Sequence, residues 1–176
     1  MKGELMREEI DGQVRTKGRW DYKGLYVEHS TKADALHVAR HLRQADKNEV
    51  NALTEQPHLQ VIRDGIHASC PCYTIRLTST GKPCGIFGAC KTDHPDRGVV
   101  WLVGTDDLLT KSRTFIRHSR EWVDEIQSHY RLLYNVIDAR NTVHLNWLKW
   151  TGFELVQEFE KYGIEKRKFI LFRRYV

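Results

Sequence analysis

The segment CYTIRLTSTGKPCGIFGAC, residues 72–90, constrains the fold more than any other stretch of the chain. Tyr73, Ile75 and Leu77 alternate along one strand, Ser79 to Lys82 carry turn residues, and Cys84, Ile86 and Gly88 alternate on the return. Its glycines lower the second strand's own β preference, which fits a central, closely packed position. With the turn centred near Gly81, Cys72 is expected opposite Cys90. After a DHPDRG loop, VVWLVG is a short unbroken apolar run of the kind buried on both faces. Three consecutive strands in mid-chain require a sheet, and the flanking segments must supply the layers that cover it.

Those flanks read as helices and further strands. GLYVE, from Gly24 to Glu28, makes a short strand. KADALHVARHLRQ then sets Ala35, Val38, Ala39 and Leu42 on one helical face, and Asp46 with Glu49 three residues later marks a second helix start. Residues 54–67 read as turn formers around a short apolar piece. From Lys111 to Tyr130, Phe115, Ile116, Ser119, Trp122, Val123, Ile126 and Tyr130 form a single stripe, the strongest helix signal present. LLYNVID is a strand, Asn141 caps a helix that Gly152 ends, and residues 153–175 give two strands with a turn near Tyr162 and Gly163. The expectation is an α/β fold whose mixed, mostly antiparallel central sheet has about six to seven strands, with helices on both faces.

A length of 176 residues suits one domain. Residues 1–23 are mostly charged and lack a sustained apolar period, so they are expected to form an interaction arm ahead of a domain spanning 24–176. No apolar run is long enough for a membrane helix, so no membrane anchor is expected. The net charge of +5 comes from 28 basic and 23 acidic residues that are interspersed, so nucleic acid contact through Lys161, Lys166, Arg167, Lys168, Arg173 and Arg174 has little support. Cys70, Cys72, Cys84 and Cys90 lie close together, but their spacing departs from paired C-x2-C zinc knuckles, and no metal is expected.

The order of elements, together with Asn141, His144, Leu145, Trp147, Leu148, Gly152 and Phe153, resembles the GNAT (GCN5-related N-acetyltransferase) fold. In that family the Asn-capped helix flanks the pantetheine arm of coenzyme A, and the Gly-Phe pair turns the chain into the penultimate strand. The run from Asn141 to Gly152, and the segment from Arg40 to Val50, also resemble the small internal core proteins of short-tailed bacteriophages. That second resemblance implies a structural protein of the virion interior, present in the host cytoplasm during assembly. Its partners would be other internal core, portal or tail proteins, and it would have no transferase activity and no cofactor.

The resemblance to acetyltransferases implies an alternative, an N-acyltransferase using acetyl-CoA. Under it, Val103, Gly104, Thr105 and Asn141 are the candidate cofactor contacts. The diphosphate of the cofactor needs backbone N–H groups at a helix start, conventionally in a glycine-rich turn. Here the strand is followed by Gly104, Thr105, Asp106 and Asp107, with a single glycine and two adjacent negative charges. The aspartates read more simply as complements to the positive end of the following helix. The family's proton-donating Tyr falls on Leu148, so that role would pass to Tyr134, Tyr130 or His144. Glu154, Glu158 and Asp138 are the carboxylates considered for taking the amine's proton.

Overall fold

The computed structural model describes residues 7–10, 13–16 and 18–176. One sheet runs through it in the order β1-β2-β3-β4-β5-β6-β7-β8-β10-β9. Its strands are β1 (Arg7–Ile10), β2 (Gln13–Thr16), β3 (Arg19–Asp21), β4 (Leu25–His29), β5 (Ser69–Leu77), β6 (Pro83–Lys91), β7 (Arg97–Gly104), β8 (Leu132–Asp138), β9 (Glu154–Tyr162) and β10 (Arg167–Tyr175). Every neighbouring pair is antiparallel except β7 and β8, which are parallel. The mixed, mostly antiparallel sheet is as expected. It has more strands than the expected six to seven, with β3–β10 as its body of eight.

Helices cover both faces. The first set is α1 (Lys32–Arg40), α2 (Gln44–Leu53) and α3 (His58–Ala68); the second is α4 (Asp106–Thr110), α5 (Ser112–Gln127) and α6 (Thr142–Trp150). Side chains alternate across a pleated strand, so neighbouring residues of the central hairpin enter different cores. Ile86 and Cys72 join Ala35, Val38 and Ile62 from α1 and α3. Tyr73, Phe87 and Ala89 join Trp122, Val123 and Ile126 from α5. Asn141 accepts a hydrogen bond from the His144 N–H, and Gly152 adopts φ +89°, so α6 begins and ends as its sequence requires.

Three details differ from the sequence reading. Residues 58–68 form α3, whose amphipathic face buries Ile62; the helix starts at His58, directly after Pro57. The long helix begins later than Lys111, and α4 precedes it with a break at that lysine. The hairpin register pairs Cys72 with Gly88 and Ser69 with Cys90. The turn is tighter than a centre at Gly81 implies: the Gly81 N–H donates to the Leu77 carbonyl at 2.8 Å, and the Leu77 N–H to that of Lys82 at 3.0 Å. Opposed positions therefore move by two residues.

Residues 18–23 of the expected arm are part of the domain. β3 pairs with β4, Trp20 packs edge-on against Tyr73 with ring centres 5.0 Å apart, and the Trp122 indole N–H donates to the Tyr22 hydroxyl at 2.8 Å. Two aromatic rings set between charges give no strand period, yet they bury large apolar areas when a sheet edge is at hand. Residues 1–6, 11–12 and 17 of the arm lie outside the described residues.

Candidate active site

The β7–β8 pair does not run its full length. Arg97, Gly98 and Val99 pair with Leu132, Leu133 and Tyr134, and beyond them the two strands part. Backbone groups released by the parting need other partners. At the fork, the Asn135 side-chain amide donates to the Val100 carbonyl at 2.8 Å. Further along, the Gly104 N–H donates to Asp46 Oδ2 at 2.9 Å, and the Asp138 N–H to Glu49 Oε2 at 3.2 Å. Asp46 and Glu49 are three residues apart on α2 and share a face. One helix therefore holds both strand ends apart through two carboxylates.

Val100 and Gly104 both turn their peptide groups away from β6. By the alternation of a strand, Leu102 between them directs its N–H and C=O into the opening. Two cavities meet there, each with Leu102 and His144 in its wall. The one toward α5 and α6 has a volume of about 360 Å³ and is lined largely by apolar side chains, including Leu108, Phe115 and Trp147. The other, toward α2 and α3, has a volume of about 250 Å³ and includes Glu49, Ile62, Asn135 and Ile137.

Two titratable residues at this junction, Glu49 and His144, are strongly perturbed. Burial pushes the Glu49 carboxyl up to about 7, reinforced by the nearby charges of Asp46 and Asp138 and opposed by the Asp138 N–H and the Asn141 side chain. Burial pushes His144 down to about 3, and the Arg43 charge acts in the same direction. His144 is thus a neutral imidazole at physiological pH, and its Nδ1 is buried without a hydrogen-bond partner. Burial also holds Asp46 above the ordinary carboxylate value, although Arg43 makes two hydrogen bonds to it at 2.9 Å.

Of the sequence candidates, His144 and Val103 line these cavities, and Asn141 holds the start of α6 beside Glu49. Tyr134 lines neither cavity; it lies on the paired part of β8, opposite Val99 and Arg173. The Tyr130 hydroxyl donates to the Cys70 carbonyl, and Leu148 is buried in the core. Glu154 pairs with Arg173 and Glu158 with Lys168 on the surface, while Asp138 is buried against Arg140, which outweighs the cost of its burial and holds its carboxyl below the ordinary value. Arg167 and Arg174, two further members of the basic set, pair with Glu165 and Asp124. Among the described residues, no group of three His, Cys, Asp or Glu side chains is placed to hold a metal ion.

Glu49 was missed as a site residue because its pattern in sequence is that of a helix-start acid. The available signal was the i, i+3 pair of acids on a helix with no adjacent basic partner for the second. Only the fold shows what that pair faces.

A coenzyme A thioester fits this geometry at one end and not at the other. The opening between the strands and the apolar cavity suit the acyl group and pantetheine arm, with the Leu102 carbonyl available to accept from its amides. The turn after β7 does not suit the diphosphate. The Gly104 N–H is taken by Asp46, the Thr105 N–H donates to the Cys84 carbonyl at 2.9 Å, and Asp106 and Asp107 occupy the first turn of α4.

No protein-family model and no curated protein matches the sequence. Solved structures do match the fold. A ribosomal-protein-S5-alanine acetyltransferase from Vibrio fischeri aligns with a TM-score of 0.63 at 15% identity, covering 89% of this chain and 96% of its own. A GNAT-family acetyltransferase from Bacillus anthracis gives 0.59 at 10% identity, covering 88% and 96%. RimL, a ribosomal L7/L12 alpha-N-protein acetyltransferase solved with coenzyme A, gives 0.64 at 9% identity, also covering 88% and 96%. The chain has the GNAT fold. The expectation of a structural protein of the phage interior is overturned: these neighbours are acetyltransferases, and nothing in the comparisons supports the virion reading.

Proposed function

We propose that this chain is an N-acyltransferase that moves an acyl group from a coenzyme A type thioester to an amine. The observation that carries the reading is the fork of β7 and β8, with an apolar cavity on one side and a carboxyl raised to about 7 on the other. Similarity to acetyltransferase structures supports it at the level of fold. A bound thioester would supply an activated acyl carbon at the opening. Glu49, with its affinity for protons raised by burial, accepts the proton of the attacking amine near neutral pH. His144, held neutral, can donate a hydrogen bond to the departing sulfur, which leaves as the thiolate and takes its proton from solvent. The Leu102 N–H is positioned to bind the oxygen on which charge develops.

The test is acylation of a panel of amines and peptide N-termini with acetyl-CoA, comparing the parent with Glu49→Gln. The expected result is turnover by the parent and a fall in kcat of about 100-fold or more in the variant, with the rate of the parent rising through pH 7. Absence of turnover on every acceptor, with no thioester binding by calorimetry, overturns the reading.

A further inference from the structure

Resting on the acyltransferase reading, we infer that this site recognises its donor through the acyl-pantetheine arm alone and does not grip the nucleotide. An acyl-pantetheine without the adenosine diphosphate portion is therefore as good a ligand as the full coenzyme. Three independent features lead there.

First, an internal carboxylate already occupies the last N–H of β7. Asp46 is 4% exposed, accepts from Gly104 at 2.9 Å and is fixed by two hydrogen bonds from Arg43. A phosphate oxygen seeking that donor would have to displace a buried ion pair. The next N–H, of Thr105, is bonded within the sheet to the Cys84 carbonyl. Where N–H groups grip a diphosphate, they must be unpaired and able to approach closely.

Second, the turn lacks the glycine-rich backbone that draws in a phosphate and puts carboxylates at its start. Asp106 and Asp107 are exposed in the first turn of α4, and no glycine occurs from Thr105 to Thr114. Of the nearest cations, Arg43 is engaged by Asp46, Lys111 lies with its side chain along the loop at Gly24, and Arg113 is exposed on α5. None of them replaces a row of backbone donors.

Third, the mouth of the donor cavity is apolar where a nucleotide would leave it. Leu109 is 51% exposed, Ile116 46%, Val143 70% and Trp150 54%, and all four belong to this one cavity. A rim of this kind favours the dimethyl-bearing arm of pantetheine and offers a charged diphosphate no compensation for lost water. The cavity volume of about 360 Å³ lies in the range that suits a ligand of that size.

The experiment titrates the full chain by calorimetry with acetyl-CoA, acetyl-pantetheine and 3′,5′-ADP, and measures kcat/KM for both thioesters. The expected result is dissociation constants and kcat/KM values that agree within about 3-fold for the two thioesters, with no displacement of either by 3′,5′-ADP. Trp150→Ala should weaken both by the same factor, and Arg113→Glu should leave acetyl-CoA binding unchanged. Acetyl-CoA binding at least about 10-fold tighter than acetyl-pantetheine, or competition by 3′,5′-ADP, or a comparable loss in Arg113→Glu, overturns the inference while leaving the acyltransferase reading intact. Binding of neither thioester overturns both.

Discussion

The two sides of β7 are held in different ways. Toward β6 the ladder runs unbroken from Gly98 to Gly104, antiparallel and in constant register. Toward β8 it stops after Val99. The first side is a closed seam in which the backbone satisfies itself and glycine permits close approach: a Cβ at Gly104 would lie 3.2 Å from the Cys84 carbonyl oxygen of β6. The second side is an opening whose freed backbone groups are satisfied by the side chains of Asn135, Asp46 and Glu49. A sheet that binds in its middle needs such substitutes, because a parted strand end with unpaired N–H groups is costly when buried. Two of the substitutes, Asp46 and Glu49, are carboxyls raised by burial, so the opening is also where the protein stores perturbed titrations.

The contrast can be broken most severely at Asp46. Asp46→Ala leaves the Arg43 guanidinium and the Gly104 N–H without their carboxylate, and stability is expected to fall by about 3–5 kcal/mol, measured by denaturant unfolding. If the opening were a mere surface groove, the loss would be only about 0.5 kcal/mol or less.

Glu49 sharpens the contrast through pH. Its carboxyl ionises near 4.5 in the unfolded chain and near 7 in the fold, so the unfolded state loses its proton first and stability falls as pH rises from about 4.5 to 7. The full effect above pH 7 is about 3 kcal/mol. Glu49→Gln should therefore melt higher than the parent at pH 8 and close to it at pH 4.5, followed by thermal denaturation. His144 contributes with the opposite sign: it resists protonation in the fold, so stability is lost as pH falls from 6.5 toward 3.

The smallest effect tests the closed seam. Gly98→Ala pushes a methyl group to 3.1 Å from Ala89 Cβ of β6 and 3.0 Å from the Tyr130 ring, and a loss of about 2 kcal/mol is expected with no change in the pH profile. A changed profile would mean that the seam and the opening are coupled.

Much of the closed side was legible in the sequence. The alternation of Tyr73, Ile75 and Leu77, the apolar run of β7, the stripe of α5 and the Asn141-to-Gly152 helix are local patterns, because a strand or helix advertises its buried face in its own period. The parting of β7 and β8 left no such mark, since Val100 to Val103 read as an ordinary buried strand whether paired on one side or two. Likewise α3 was masked by the turn formers Pro57, Asp64 and Gly65 around its apolar residues, and Trp20 and Tyr22 by the charges around them. His144 was named as a candidate for its chemistry, but which of Tyr130, Tyr134 and His144 reached the opening depended on strand register. Glu49 became a site residue only when α2 was laid across two strand ends, Gly104 and Asp138, the second of them 89 residues from it in sequence. Local periods are fixed by neighbours along the chain; the raised affinity of Glu49 for its proton comes from burial among groups distant in sequence, and only the tertiary structure decides that.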